Sequence, residues 1–267
     1  MNKFYIQIVL FLLSIFVFMN NKALASNAAL IKNTQPKFKK CYPTSEEIYE
    51  KNKHLLCANP EETIEAEKLM NEVVKHLENH ATSKDGYRPD ADNPHNGIYS
   101  YIKKHDKYTN VEKMQYKVYG TNKYNKVISE MWDPDSNNFL EYGSVKEKIV
   151  RVYNPNLVMI QRRYKNLPLS REKYFYALVK KAQISHDTTI IAMVSPNIND
   201  HHPSNIVYYN TIIENANLFK TNIDSEDDIR KGKIGKTFVN LAGYYVQKRN
   251  THVDVTYVAS IDGRSYV

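Results

Sequence analysis

The chain has 267 residues and a formal net charge of +8, with 42% hydrophobic and 25% charged residues. These proportions, together with 12% aromatic residues, are typical of a globular protein and exclude an intrinsically disordered one. The positive charge favours anionic partners, such as phospholipid head groups or acidic proteins. We expect no nucleic-acid partner, because the lysines are scattered along the sequence and form no basic stripe.

Residues 1–25 predict a secretory signal peptide. Lys3 supplies the positive start, residues 4–18 are almost wholly apolar, and Ala23-Leu24-Ala25 offers small residues for cleavage. The alternative is an uncleaved membrane anchor, which would need an apolar run of about 20 residues. Secretion is therefore the predicted route.

Residues 26–97 predict a polar leader followed by two helices. Thr44 and Glu47 form a capping-box pattern for a helix that runs to about residue 56. Asn59 caps a second helix, with Pro60 in its first turn. Apolar residues of this helix recur every three or four positions, which predicts one buried face: Ala66, Leu69, Met70, Val73, Val74 and Leu77.

The only two cysteines, Cys41 and Cys57, fall in this region. In an oxidising compartment they predict a disulfide, which would stabilise the fold by about 3 kcal/mol. The alternative is two unrelated free thiols.

Residues 98–267 predict a second, larger region that is rich in β-strands. Two strands at 98–104 and 111–119 follow an irregular loop at 83–97, and a helix is predicted at 122–132. Six further strands are predicted at 148–153, 157–164, 173–184, 188–195, 236–248 and 251–260. Between Pro196 and Gly235 lies a polar insertion, with a short helix expected at 224–231.

Strand 173–184 is apolar on both faces. Tyr174, Tyr176 and Leu178 lie on one face, and Phe175, Ala177 and Val179 on the other. The next strand places Ile190, Ala192 and Val194 opposite Ile191 and Met193. We expect such strands to be buried between an outer layer and an interior cavity.

Several fragments with chemical residue types fail as catalytic or metal sites. Ser185-His186-Asp187 cannot converge as a triad, because neighbours in an extended chain point to opposite faces. Residues 133–144 lack the glycine and the final glutamate of a calcium loop, and residues 230–237 misplace the first glycine of a phosphate loop. Asp200-His201-His202 is interpreted as a solvated loop. We therefore predict no enzyme, no metal and no cofactor.

Four stretches resemble the fam-a family of rodent malaria parasites: residues 119–124 (YGTNKY), 131–134 (MWDP), 149–157 (IVRVYNPNL) and 236–244 (KTFVNLAGY). Cys41-Tyr42-Pro43 and Asn59-Pro60-Glu61-Glu62 resemble it too. Fam-a proteins are similar to START lipid-transfer domains, a likeness that covers about residue 98 onward. Its recognisable points are Trp132-Asp133 and Ile261-Asp262-Gly263.

The resemblance implies an α+β helix-grip fold, in which a curved antiparallel sheet wraps around a long C-terminal helix with one lipid between them. It further implies a secreted parasite protein in the parasitophorous vacuole or exported to the host erythrocyte. Such a protein would bind a phosphatidylcholine-type phospholipid and touch membranes transiently; any host protein partner is unknown.

Candidate lipid-binding residues are Trp132, Arg151, Tyr153, Tyr176, Met193 and Tyr245. Aromatic faces suit a choline group, and a cation in mid-strand, such as Arg151, suits a phosphate. The alternatives are an outward, solvated Arg151 and a plain core role for Trp132. START members often carry an arginine in the strand that corresponds to 237–248, where this chain has Asn240.

In START-like proteins the Asp-Gly turn after the last strand leads into the long helix, whereas here residues 264–267 complete the sequence. We expect a truncated chain, or a helix at 59–77 that partly covers the open face. A C-terminally extended version would then bind lipid more tightly. The rival function is a non-enzymatic interaction protein with a degenerate pocket, and a weaker third is a hydrolase with a dispersed site.

Overall fold

The structure is a computed structural model, and it describes residues 43–90, 97–136, 144–165 and 170–263. All of these residues fall in one compact unit. The predicted signal peptide, Cys41 and the segment 264–267 lie outside the described residues. Among the described helices, none combines the length and the apolar composition needed to cross a membrane.

The described helices are α1 (Ser45–Lys51), α2 (Pro60–Thr82), α3 (Tyr124–Trp132) and α4 (Asp227–Arg230), with 3-10 turns at Lys53–Leu55, Thr121–Lys123 and Glu214–Asn217. The strands are β1 (Arg88–Pro89), β2 (Tyr99–Lys104), β3 (Asn110–Tyr119), β4 (Ser144–Asn154), β5 (Leu157–Lys165), β6 (Lys173–Ser185), β7 (Thr188–Val194), β8 (Asn197–Asn199), β9 (Lys220–Asn222), β10 (Gly235–Lys236), β11 (Phe238–Lys248) and β12 (His252–Asp262). The predicted antiparallel sheet and the α+β class are confirmed.

Within the described residues, ten strands form one sheet in the order β1-β2-β3-β12-β11-β7-β6-β5-β4, and β10 pairs with β6. Neighbours on this path are antiparallel, and β10 alone joins in parallel. β8 and β9 form a separate parallel pair. The short β1 lies in a stretch that the sequence predicted to be irregular.

The caps predicted from sequence start both N-terminal helices. The Thr44 backbone N–H donates to the Glu47 carboxylate, and the Glu47 N–H donates back to the Thr44 hydroxyl. Asn59 Oδ1 accepts from the Glu61 N–H at 2.9 Å. The first helix is shorter than predicted: α1 ends at Lys51 because the chain tightens into a 3-10 turn.

α2 packs across β7, β11, β6 and β12, and we call the side it covers the long-helix face. Alternate strand residues project into this layer, as the two-residue period requires. Its members include Leu69, Met70, Val73 and Leu77 from the helix and Leu157, Met159, Tyr174, Tyr176, Leu178, Ile190, Ala192, Val194 and Leu241 from the sheet. The helix predicted at 59–77 thus covers one face of the sheet, and the truncation of the chain stays a prediction.

The opposite side of the sheet carries the short-helix face, named after α1 and α3. These helices contribute Ile48, Tyr124, Val127 and Trp132. The strands contribute Val152, Val158, Ile160, Phe175, Ala177, Val179, Ile191, Met193, Ala242, Tyr244, Val246, Val253, Val255 and Ala259. The predicted division of β6 and β7 between two apolar faces is confirmed.

The insertion at 196–234 is only partly polar, which corrects the sequence interpretation. It buries apolar side chains in the same layer as α2: Ile198, Ile212, Ile213, Ala216, Phe219, Ile223, Ile229 and Ile234. Their spacing follows no single period, because the segment is mostly irregular backbone, and so no pattern predicted their burial.

Gly243 allows β11 to approach β7 closely. Its φ is +146°, and a Cβ at this position would lie 2.1 Å from the Ile191 carbonyl oxygen. Only glycine fits such a contact. The pairing Gly243↔Ala192 joins the two strands at the centre of the sheet.

Candidate functional site

The short-helix face ends at a cleft of 410 Å³ between α1, α3 and the β6–β7 hairpin. Tyr124 and Trp132 belong to both the apolar face and the cleft wall. Pro43 and Ile128 line it too, and the remaining side chains are polar: Thr44, Ser45, Glu46, Asn125, Ser129, Asn156, Lys181, Gln183 and Thr189. An apolar surface therefore runs directly into a polar pocket.

Trp132 sits at this boundary with 7% of its surface exposed. It is the last residue of α3, in the helix that the sequence predicted at 122–132. Its indole N–H has no hydrogen-bond partner among the described residues. Such groups are usually paired when a tryptophan is buried.

Lys181 supplies the positive charge of the cleft. Its Nζ donates to the Ser45 hydroxyl and lies 5.5 Å from the centre of the Trp132 ring. Burial lowers the pKa of Lys181, while Glu46 acts in the opposite direction. No carboxylate lies within ion-pair distance of Lys181 in the described part of the chain. A partly buried cation of this kind can bind an anionic group.

Arg151 and Tyr153 lie elsewhere, at the start of α2. Both donate to the same oxygen, Glu62 Oε1, at 2.6 Å and 2.7 Å. Arg151 also donates to the Asn222 carbonyl at 2.9 Å. Burial and the nearby Glu62 carboxylate raise the pKa of Tyr153, so its hydroxyl stays protonated. Arg151 is therefore neither solvated nor free, and a phosphate would have to displace Glu62.

Tyr176 belongs to a buried polar cluster on the long-helix face. The Gln161 amide donates to the Tyr176 oxygen at 2.6 Å and to Glu226 at 2.7 Å. Arg163 forms a two-bond contact with Asp228 at 2.6 Å and 2.9 Å. These contacts tie α4 to β5 and β6. Tyr176 thus has structural partners in the insertion.

The six predicted lipid-binding residues do not converge. Trp132 and Met193 lie on the short-helix face, whereas Tyr153, Tyr176 and Tyr245 pack on the long-helix face. Of the six, only Trp132 reaches the cleft wall. Their roles towards lipid stay predictions.

Asp200 corrects the interpretation of a solvated loop. It is 2% exposed and accepts hydrogen bonds from the Tyr174 hydroxyl at 2.8 Å and from Lys236 Nζ at 2.9 Å. The sequence could not show this, because both partners are distant along the chain. Asp200 holds the insertion against β6 and β10.

The remaining sequence motifs that were considered as catalytic or metal sites form no such site in the described residues. Ser185-His186-Asp187 forms the exposed turn between β6 and β7. Within the described ranges, no three His, Cys, Asp or Glu side chains gather as metal ligands would. Cys57 Sγ lies 3.5 Å from the Asn59 carbonyl oxygen. Its predicted pairing with Cys41 lies outside the described residues and stays a prediction.

Sequence reasoning missed Lys181, Tyr124 and Thr189. The Tyr124 hydroxyl and Thr189 Oγ1 are hydrogen-bonded at 2.9 Å in a buried contact beside the cleft. One signal was available for Lys181: it interrupts the apolar alternation of β6 on the face that carries Ala177 and Val179. That signal marks an unusual position, and only the fold shows that it meets Trp132.

Solved structures with a similar fold include human StAR-related lipid transfer protein 5, with a TM-score of 0.52 and 13% identity. The match covers 76% of this chain and 84% of that one. The fold is START-like. Human STARD10 also matches, with a TM-score of 0.45, 11% identity and coverage of 73% and 68%. No family description and no functionally curated protein matches this START-like chain in sequence.

Proposed function

We propose that this chain binds one phospholipid and carries it between membranes without covalent chemistry. The observation that supports this proposal is that the apolar short-helix face is continuous with the cleft that contains Lys181. A phospholipid has the same division, with apolar acyl chains next to a charged head group. The START-like fold supports the proposal, since the matched human protein is named a lipid transfer protein.

Each part of the site has a distinct role in this proposal. In this proposal the acyl chains reach the apolar side chains of β6, β7 and β11 on the short-helix face when α1 and α3 move aside, because residues such as Met193 are buried beneath these helices. Lys181 pairs with the head-group phosphate, because a charge-assisted bond is strongest where solvent is excluded. Trp132 contacts the region between head group and chains, where an amphipathic ring is favoured.

The finer identity also belongs to this proposal and rests on the sequence. We propose that the lipid is of the phosphatidylcholine type, that the chain is a fam-a protein, and that it acts after secretion, in the parasitophorous vacuole or the host erythrocyte. The resemblance of residues 119–124, 131–134, 149–157 and 236–244 to fam-a proteins and the predicted signal peptide support these points.

Native mass spectrometry and a vesicle-to-vesicle transfer assay test the proposal. We expect the purified chain to carry one phospholipid. Lys181→Gln should slow transfer of that lipid by about tenfold, which corresponds to about 1.4 kcal/mol for one charged contact. Lys117→Gln is the matched control, because Lys117 is exposed on β3 and loses the same charge.

Equal transfer rates for wild type and Lys181→Gln would show that the cleft does not bind the head group during transfer. A chain that carries no lipid, and still binds a host protein specifically, would favour the rival function of an interaction protein. Turnover of an ester substrate that is abolished by mutation of one hydroxyl or thiol would favour the hydrolase.

A further inference from the structure

The insertion exposes an apolar loop at 203–210. Ile206 is 66% exposed, Val207 is 90% exposed and Tyr209 is 59% exposed. Residues 203–213 contain no charged side chain. Scattered exposed apolar residues are common, but a contiguous group marks a surface that meets another apolar phase or a partner.

The fold holds this loop in place through its inward residues. The Tyr208 ring stacks on Phe238 with ring centres 5.4 Å apart, and its hydroxyl donates to the Lys236 carbonyl at 2.8 Å. Asn210 is fully buried and donates to the Asn240 carbonyl at 2.7 Å. Because Tyr208 and Asn210 are anchored, the residues between and before them are directed outward.

Two neighbouring segments extend the same surface. Thr211 donates to Asp106 at 2.7 Å, which joins the loop to the β2–β3 turn, where Tyr108 is 84% exposed. The Asn217 amide donates to the Asn210 carbonyl at 2.9 Å, next to Leu218, which is 73% exposed. We call Tyr108, Ile206, Val207, Tyr209 and Leu218 the apolar tip.

Charged side chains of both signs surround the tip. Lys104 ends β2 and Lys107 lies in the β2–β3 turn beside Tyr108, and both are exposed. Asp106, which lies between them, accepts hydrogen bonds from Thr211 and from the Tyr108 and Thr109 backbone, which lower the pKa of its carboxyl group and keep it charged. Glu214 is an exposed carboxylate farther along the insertion. The positive charge that favours an anionic surface is that of the whole chain, at +8.

We infer that the apolar tip inserts into the interfacial layer of an anionic lipid bilayer, with Lys104 and Lys107 on the head groups. Aliphatic side chains gain from leaving water, tyrosine suits the boundary layer, and lysine near an anionic leaflet is attracted to it. The inference rests on the proposed function, because a lipid carrier must dock on a membrane to load and unload.

Hydrogen exchange of the full chain tests the tip locally, with and without vesicles of phosphatidylcholine and phosphatidylserine. We expect slower exchange at residues 205–209 when vesicles are present, and no change at the exposed turn 249–251, which borders neither the tip nor the cleft. The double variant Ile206→Ser and Val207→Ser should lose this protection and sediment with vesicles about tenfold less. Ile64→Ser with Ile184→Ser is the matched control, because both isoleucines are exposed and lie on other elements.

Each result decides the question. Loss of vesicle protection in the tip variant, with bound lipid still present by mass spectrometry, supports docking by the tip. Protection in a wild-type chain that carries no lipid supports docking and contradicts the carrier function. Unchanged protection in the tip variant overturns the inference. So does wild-type self-association that the variant abolishes, since the tip would then bind a second copy.

Discussion

At the residue scale, the C-terminal end of α2 is held by a small polar cluster. Lys113 Nζ donates to the carbonyls of Ser83 at 2.6 Å and His80 at 3.3 Å, and it lies 3.7 Å from the centre of the Tyr87 ring. These carbonyls are the acceptors that a helix end leaves unsatisfied. Burial lowers the pKa of Lys113 to about 8. His80 Nδ1 contacts the Tyr87 hydroxyl at 2.8 Å in the same cluster.

His80 makes stability depend on pH. Burial, and then the charge of Lys103, lower the pKa of His80 to about 4 from 6.5. As pH falls, the unfolded chain therefore binds the proton at a higher pH than the folded chain does. The stability that depends on a neutral His80 is fully present above pH 6.5 and is lost between pH 6.5 and 4. We expect the free energy of unfolding to drop by about 1 kcal/mol per pH unit in this window, given the partial exposure of the ring.

Urea unfolding at several pH values measures this effect. His80→Gln should flatten the profile between pH 6.5 and 4, because the titrating group is gone. His186→Gln is the control, since that side chain is 88% exposed in the β6–β7 turn. Identical profiles for wild type and His80→Gln would show that His80 is not the group that titrates.

Residue types predicted the candidate site only in part. The alternation of β6 and β7 correctly divided Tyr176 from Met193, because the strand period is a local property. It could not show which face α2 would cover. The pairing of Arg151 with Glu62 was also hidden, because the two residues meet only when α2 packs on the sheet. Long-range partners decide which charges are available to a ligand.

At the element scale, local signals predicted most boundaries. The caps at Thr44 and Asn59 are short-range hydrogen bonds, and the structure has both. Gly243 differs, because the need for a glycine at this position comes from the close approach of the neighbouring strand β7. No pattern within β11 shows that Ile191 approaches it, although a glycine inside an apolar strand does indicate a bulge or a close contact.

Gly243→Ala should disrupt the centre of the sheet. The added Cβ would lie 2.1 Å from the Ile191 carbonyl oxygen, and backbone atoms cannot move as a flexible side chain can. We expect a loss of about 3 kcal/mol or more, or a chain that does not fold. Thermal unfolding followed by circular dichroism measures it.

Gly97→Ala provides the comparison for this variant. Gly97 also has a positive φ, of +76°, but a Cβ there meets nothing within 4 Å. Its cost should be about 1 kcal/mol, from backbone conformation alone. A melting temperature for Gly243→Ala as high as that of Gly97→Ala would contradict the close approach of β7 and β11.

At the scale of the whole molecule, the insertion is part of the core. Ile213 is fully buried in the layer that α2 and the sheet share. We expect Ile213→Ala to destabilise the entire described unit by about 2–5 kcal/mol, because it leaves a cavity in that layer. Trp132 fluorescence reports the opposite face, and its unfolding midpoint should fall together with that of circular dichroism.

The exposed Ile206 gives the matched control for this effect. Ile206→Ala should change stability by less than about 0.5 kcal/mol. If Ile213→Ala shifted only the circular dichroism signal and left the Trp132 midpoint unchanged, the insertion would unfold separately from the sheet. That result would contradict a shared core.

The insertion is also closed at its base. Ser195 N–H donates to the Val239 carbonyl at 2.8 Å, and Val239 N–H donates to the Ser195 hydroxyl at 3.0 Å. The chain therefore leaves β7 and returns to β11 at adjacent positions of paired strands. Residues can be added or exchanged at the outer end of the insertion without altering the register of the sheet. The same sheet can therefore carry an outer end of a different length or chemistry.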